Sequence, residues 1–294
     1  MNFTRRDLGK IALAALSSGK IWAKPNSKFA GVEIGIIISP TNFRDIPLGA
    51  DQILNNLVQL GISGIEMQDV RVESYAGAPA ATRQAEIKQW RLSASMDKYK
   101  ALHMLYRQAG VNIYAFRLAT LTNAMTDEEL AYFFNTAEAL GAHQITTELP
   151  TDTALTQRVG DYAAKRKIWM GYHNHTQVNF NSWDTALAQS KYNGINFDVG
   201  HYAAAVSESP IPFIQKYHDR ITCLHLKDRK FKTNGGQNMV WGQGDTPLKE
   251  ILVLMKKEKY RFPAGIELEY RIPDGSTTMA EIAKCLEFCK EALA

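Results

Sequence analysis

The sequence predicts a closed parallel (β/α)8 barrel as a single domain, on three observations. Short apolar runs alternate eight times with amphipathic helical patterns, and that alternation is the mark of a parallel sheet covered by helices. The eight units fill residues 24–294 with no linker and no break in composition, a length that suits a barrel better than an open sheet. No Gly-x-Gly-x-x-Gly follows an early strand, so the dinucleotide-binding alternative lacks its fingerprint.

The units follow in order. "GVEIGIIIS" precedes the helical pattern "GADQILNNLVQLG", and "ISGIEMQ" precedes a long helical region from Arg83 to Gly110. "VNIYAFRL" leads to "TDEELAYFFNTAEALG", where Thr126 and Glu129 have the spacing of a capping box. "HQITTEL" precedes "TALTQRVGDYAAKRK", "KIWMGYHNH" precedes "WDTALAQSKY", and "INFDVGH" precedes "PIPFIQKYHDR". "ITCLHLKD" runs through a long loop to "TPLKEILVLMKKEKY", with Pro247 suited to a helix start, and "AGIELEY" precedes the last pattern, "TTMAEIAKCLEFCKEALA".

In such barrels the active site lies at the C-terminal ends of the strands, so those ends are the place to look for chemistry. They carry Glu66 and Gln68, then Arg117, Glu148, the pair His173 and His175, Asp198 with His201, His225 with Lys227, and Glu267 with Glu269. Strand side chains alternate between faces. His173 and His175 therefore share one face and Asn174 takes the other, the wall behind them. In "LHLKD" and "GIELEY" the apolar residues suit the helix layer, which turns His225, Lys227, Glu267 and Glu269 toward the barrel mouth. Carboxylates and imidazoles buried together repel or stay unpaired unless something offsets their desolvation. A divalent cation does so, and a mixed oxygen and nitrogen donor set suits Mn²⁺, Co²⁺, Mg²⁺ or Zn²⁺.

The ordered series Glu148, "YHNH", "DVGH", "HLKD" and "IELEY" resembles the xylose-isomerase-like barrel superfamily, which includes sugar-phosphate isomerase/epimerase-like proteins, inosose dehydratases, ketose 3-epimerases and type IV AP endonucleases. The resemblance implies one divalent metal ion held by Glu148, Asp198, His225 and Glu267, and a substrate or supporting role for His201. Where the ketose epimerases place a metal-binding glutamate this chain has His173, so that residue is either a ligand in place of Glu148 or a base working beside it. The expected activity is isomerisation or epimerisation of a carbohydrate or polyol by proton abstraction next to a carbonyl. His173, Glu269 and His175 are the catalytic candidates, and His201, Lys227, Trp241, Arg117 and Glu66 the substrate-binding ones. Elimination from a 3-keto sugar or inosose is the alternative, and a sugar-binding protein without turnover is the rival from another class. The nuclease reading fails because strands two and three carry no histidine and no basic stripe offers a nucleic-acid face.

Lys230 to Asp245 forms a glycine-containing loop of a length that suggests a binding lid, with Trp241 placed to stack on a sugar or to pack on the rim. The run "KDRKFK" reads equally as a solvated face or an anion contact. The net charge of +4 is spread over mixed acids and bases and implies neither a nucleic-acid nor a membrane-surface partner. Residues 1–23, "TRRDLGKIALAALSSGKIWA" included, resemble a twin-arginine (Tat) export signal: Thr4, Arg5, Arg6 and Lys10 match, Leu8 replaces an aromatic, and Gly9 departs. The Tat machinery would then be a partner and the periplasm the destination, with cleavage near Ala23. The apolar stretch is too short for stable membrane insertion. Cys223, Cys285 and Cys289 are an odd set without a disulfide framework and are expected to pack as small apolar residues. The oligomeric state is left open, a homo-oligomer included.

Overall fold

The computed structural model describes residues 24–294 except 44, 45, 47, 48 and 81. The paired arginines and the rest of the export pattern lie outside the described residues. A two-residue strand β1 (Lys28–Phe29) pairs antiparallel with β2 (Val32–Ile38) ahead of the barrel proper. The barrel then runs through β3 (Gly64–Gln68), β4 (Asn112–Arg117), β5 (Gln144–Glu148), β6 (Trp169–His173), β7 (Asn193–Asp198), β8 (Ile221–Leu226) and β9 (Ala264–Ile266). All eight strands β2–β9 are parallel, neighbours in sequence are neighbours in the sheet, and β9 pairs back onto β2, with Gly35 opposite Gly265. That closure leaves no sheet edge among the barrel strands.

Helices α1 (Ile53–Leu60), α2 (Asp69–Ala76), α3 (Gln84–Ser93), α4 (Asp97–Ala109), α5 (Asp127–Leu140), α6 (Thr153–Arg166), α7 (Asp184–Gln189), α8 (Val199–Val206), α9 (Ile211–Tyr217), α10 (Leu248–Glu258) and α11 (Thr278–Leu293) surround the barrel. The expected helical region from Arg83 to Gly110 is two helices, because Ala94 leaves the helix in an extended conformation. The capping box is present: Thr126 Oγ1 accepts from the Glu129 N–H and Glu129 Oε2 from the Thr126 N–H. The core between strands and helices is apolar and continuous, from Ile34, Ile36 and Ile38 of β2 to Ile282, Cys285 and Cys289 of α11. All three cysteines are free and buried, as their apolar surroundings in the sequence suggested. Among the described residues no helix is long and apolar enough to cross a membrane.

Two departures from the expected strand pattern matter for the site. Strand β7 passes directly into α8, and Asp198 caps that helix by accepting the His201 N–H at 2.7 Å. Strand β9 stops at Ile266, so Glu267 and Glu269 lie beyond it and alternation alone does not orient them. Instead, Asn42, fully buried, donates to the Ile37 and Ile266 carbonyls and accepts the Leu268 N–H at 2.7 Å, stitching this segment across the barrel seam. Glu269 then adopts a left-handed backbone, φ 47°, a conformation uncommon outside glycine and enriched where function holds strain.

Candidate active site

The strand ends deliver their polar side chains to one place in three levels. At the floor, Glu66 of β3 is fully buried and saturated with donors: Thr146 Oγ1 at 2.6 Å, His225 Nε2 at 2.9 Å and Asn196 Nδ2 at 3.3 Å. Burial alone would raise its pKa, but the His225 and Arg117 charges outweigh burial and hold it low. Glu66, a substrate-binding candidate from the sequence, is fully buried here and bonded to His225 rather than presented at the mouth. The other nitrogen of His225, Nδ1, meets Glu267 Oε2 at 2.9 Å. Burial opposes the charge on this imidazole, yet the two carboxylates raise its pKa to about 9, so it is an imidazolium at neutral pH.

One level up, Lys227 is fully buried, with its Nζ 2.9 Å from Asp198 Oδ2, 2.8 Å from Glu269 Oε2, 3.4 Å from Glu267 Oε2 and 2.8 Å from His201 Nε2. Burial disfavours its charge, but Asp198, Glu267 and Glu269 together drive its pKa upward, and it stays an ammonium. The same neighbours act in reverse on the carboxylates. Against burial, Lys227 and His225 hold the Glu267 carboxyl well below its ordinary range, and His201 and Lys227 bring Glu269 down to about 2.

At the rim, Glu148 accepts from His175 Nδ1 at 3.0 Å and from the Arg117 guanidinium; its side chain is 39% exposed and that of His175 48%. The hydrogen bond to Glu148 raises the His175 pKa above the ordinary imidazole value. His173 differs: it is 2% exposed, its Nδ1 has no hydrogen-bond partner, and its ring lies 4.6 Å from that of His225 and 5.1 Å from that of His175. Burial, helped by the charges of Arg117 and His225, holds its pKa well below the ordinary value, which favours the neutral imidazole. Asn174, between the two histidines, faces away from them. Its Oδ1 accepts the Asp198 N–H at 2.9 Å and its Nδ2 donates to the Asp198 carbonyl at 3.1 Å, which clamps β6 to the end of β7.

Three groups among the described residues have ligand atoms close enough to share a cation: Glu148 with His173 and His175, His173 with Asp198 and His225, and Glu66 with Cys223 and His225. Glu148, Asp198, His225 and Glu267 do not form one such group, because Glu148 sits at the rim while Glu267 is tied to His225 and Lys227 below. The chemistry of the set nevertheless fits a divalent ion at His173. A buried, neutral imidazole with an unpartnered nitrogen is in the protonation state that metal binding requires.

Trp241 stands apart. It is 8% exposed and packs edge-on against Phe288 of α11, ring centroids 5.6 Å apart, so of the two roles open to it the packing one is seen and not stacking on a sugar. The loop around it is stitched rather than slack. Asp228 accepts the N–H groups of Gly242 and Gly244 at 2.8 and 2.9 Å, and Asp245 accepts the Phe231 N–H and pairs with Lys230. Gly244 is there for close approach: a Cβ on it would lie 1.9 Å from Asp228 Oδ1. Arg229, in the run "KDRKFK", turns inward and meets His201 Nδ1. Asn174 takes the place expected of it as the wall behind the histidines, whereas Asn42 and Arg229 are site-building residues that strand-end reading did not single out, since a loop amide and a loop guanidinium carry no periodic signal.

Comparison with known structures places this architecture. A xylose isomerase domain protein from Planctomyces limnophilus superposes with a TM-score of 0.65 at 17% identity, covering 89% of this chain and 97% of that one. A sugar phosphate isomerase/epimerase from Parabacteroides distasonis gives 0.64 at 17% identity, covering 91% and 97%. The probable 3-DHS dehydratase AsbF from Bacillus anthracis gives 0.62 at 11% identity, covering 88% and 97%. No curated protein sequence matches the chain. The family model described as xylose isomerase-like TIM barrel matches residues 54–291, most of the chain, and with the closed eight-stranded barrel on the page the chain belongs to that family.

Proposed function

We propose that this protein is a sugar isomerase or epimerase-type enzyme that removes a proton from the carbon beside a carbonyl of a carbohydrate or polyol, with the help of one divalent ion. The observation that carries the reading is the arrangement of Glu269, Lys227 and His201 at the barrel mouth: an ionised carboxylate beside an ammonium and an imidazole, each within 3.4 Å of another. Glu269, partly exposed and held in a strained backbone, is the acceptor for the proton. Lys227, fully buried beside Glu269, adds a fixed positive charge beneath the substrate oxygen on which negative charge develops, in a dry site where such a charge is strongest. His201, between them, returns the proton. A divalent ion held at His173, with Glu148 and His175 on one side or Asp198 and His225 on the other, would supply Lewis-acid polarisation of the carbonyl.

Return of the proton to the other face, or to the neighbouring carbon, gives epimerisation or isomerisation. Loss of a leaving hydroxyl gives elimination, which His201 assists by protonating the departing oxygen. The relatives' names, a sugar phosphate isomerase/epimerase and a probable 3-DHS dehydratase, span both outcomes. With the Tat-like N-terminus, the reading extends to a periplasmic enzyme processing scavenged sugars. The test is to incubate protein loaded with Mn²⁺, Co²⁺ or Zn²⁺ with ketoses, 3-keto glycosides and inososes in D₂O and follow deuterium at the carbon next to the carbonyl. Incorporation that falls by about 10²-fold or more in Glu269→Gln supports the assignment, as expected for a lost general base. Tight sugar binding without exchange in any metal form would point instead to a binding protein and sink the enzyme reading.

A further inference from the structure

Phosphate esters, carboxylates and uncharged sugars place different demands on a barrel mouth. Building on the sugar-enzyme reading above, we propose that the substrate is an uncharged keto sugar, free or as a glycoside, bearing neither phosphate nor carboxylate, and that Asn238 reads one of its hydroxyls beside Glu269.

An anionic group on a substrate is met by a lysine or arginine with hydrogens to give, or by the N–H groups at a helix N-terminus. A divalent ion that polarises the carbonyl does not supply this second anchor. Among the described residues, the cations enclosed at the mouth are committed to protein groups. Arg117 holds Glu148, and Lys227 lies 2.9 Å from Asp198 and 2.8 Å from Glu269. Arg229 donates to the Gly236 carbonyl at 3.0 Å and meets His201, while Lys230 pairs with Asp245 at 3.2 Å. The run "KDRKFK" thus turns its Arg229 and Lys230 onto the protein. The acids stand further out than the cations that hold them: the side chains of Glu148 and Glu269 are 39% and 19% exposed, those of Arg117 and Lys227 13% and 0%. An entering anion meets carboxylates first. The N-termini of α5, α6 and α8 are likewise taken, by Thr126, Asp152 and Asp198.

What the mouth offers instead is uncharged. The segments that follow β4, β5, β6 and β7, residues 118–126, 149–152, 174–183 and 199–210, hold no lysine or arginine. They present Thr120, Thr122, Asn123, Thr151, Thr176 and Gln177, all exposed, whose hydroxyls and amides both give and accept hydrogen bonds as sugar hydroxyls do. Asn238 adds the most specific contact. It bridges to Arg229 across the β8–α10 loop, and its Nδ2 faces Glu269, 3.4 Å from the backbone carbonyl and 3.5 Å from Oε2. An ionised carboxylate only accepts, so the amide nitrogen takes that side and Oδ1 the other. That oxygen is enclosed and has no hydrogen-bond partner. A sugar hydroxyl satisfies it, whereas an ionised phosphate oxygen has no hydrogen to give and leaves it unpaired.

The test pairs sugars with their phosphate esters in the D₂O exchange assay, using the full chain loaded with metal at low and at high salt. D-fructose is set against D-fructose 6-phosphate, D-xylulose against D-xylulose 5-phosphate, and methyl 3-keto-glucoside against its 6-phosphate, with 3-dehydroshikimate as the carboxylate probe. At least one uncharged sugar should exceed its ester, and 3-dehydroshikimate, by about 100-fold or more in kcat/KM, the scale of a like-charge encounter, with no dependence on salt. Asn238→Ala should raise KM for that sugar by about 10-fold with a smaller change in kcat, and Asn238→Ser, which keeps an acceptor, should recover part of the loss. Exchange on an ester or on 3-dehydroshikimate that matches or exceeds the uncharged sugars overturns the inference and leaves the enzyme reading standing. An unchanged KM in Asn238→Ala overturns the role of that residue. If no compound of the panel binds by calorimetry or exchanges, the sugar-enzyme reading falls and takes this inference with it.

Discussion

Replacing Asn174 by Ala should destabilise the barrel while leaving every charge at the mouth in place. Its side chain is fully buried and makes two hydrogen bonds to one residue, accepting the Asp198 N–H at 2.9 Å and donating to the Asp198 carbonyl at 3.1 Å. Alanine removes both partners and leaves both backbone groups in a dry place, since Asp198 is itself fully buried. An unsatisfied buried polar group costs roughly 1–3 kcal/mol, so the pair gives about 2–6 kcal/mol. At about 2 °C per kcal/mol for a domain of this size, the melting midpoint should fall by roughly 4–12 °C. Circular dichroism melts read the shift, and hydrogen exchange locates it: the Asp198 amide should lose protection out of proportion to its neighbours. His175→Gln is the control, at a side chain 48% exposed, and should stay within about 0.5 kcal/mol of wild type. A midpoint within 2 °C of wild type for Asn174→Ala, with the Asp198 amide still protected, would refute the clamp.

Three more outcomes follow from the same contacts. In the metal-free protein the His225 pKa is raised to about 9, so the stabilisation it draws from Glu66 and Glu267 is fully present below pH 6.5 and is lost as pH rises through 9. Denaturant melts from pH 6 to 10 should show a decline on the order of 3 kcal/mol that His225→Gln lacks; a flat wild-type profile contradicts the imidazolium. Gly244→Ala would put a Cβ 1.9 Å from Asp228 Oδ1 and should destabilise the β8–α10 loop by roughly 1–3 kcal/mol, seen as early proteolytic cleavage between Lys230 and Asp245. Replacing Arg5 and Arg6 by Lys should leave folded precursor inside the cell, and an unchanged periplasmic yield would remove the Tat reading.

The barrel was legible because its signal is periodic and repeated eight times, and closure of β9 on β2 agrees with that count. Strand-end reading also placed its candidates correctly along the chain, since Glu148, His173 and Asp198 are the last residues of β5, β6 and β7. Glu267 and Glu269 reach the site by another route than the one expected. Alternation along "GIELEY" predicts their direction, but the strand ends before them, and the Asn42 clasp and the left-handed Glu269 do the aiming. A buried asparagine 226 residues away from Leu268 leaves no local trace in either segment. The long loop misled for a similar reason. Its glycines read as slack, whereas Gly242 and Gly244 bring their N–H groups onto Asp228.

The deeper limit concerns charge. Reading the strand ends as a pool of carboxylates and imidazoles leads directly to a divalent cation, because something must offset their desolvation. The structure shows that much of the offset is internal: Arg117 meets Glu148, His225 meets Glu66 and Glu267, and Lys227 meets Asp198 and Glu269. Breaking one of these buried pairs leaves a charge stranded, which is costly, so the pairs also restrict where a further cation enters. Composition lists the charges but not who holds whom. Lys227 lies two residues after His225 on the same face of "HLKD", and from sequence it reads equally as a hand for the substrate or as a neighbour to the ion. Only its distances to Asp198 and Glu269 show that it is enclosed by carboxylates above the Glu66 floor. Nor does composition reveal that His173 Nδ1 and Asp198 Oδ2 stay buried without a hydrogen-bond partner among these pairs.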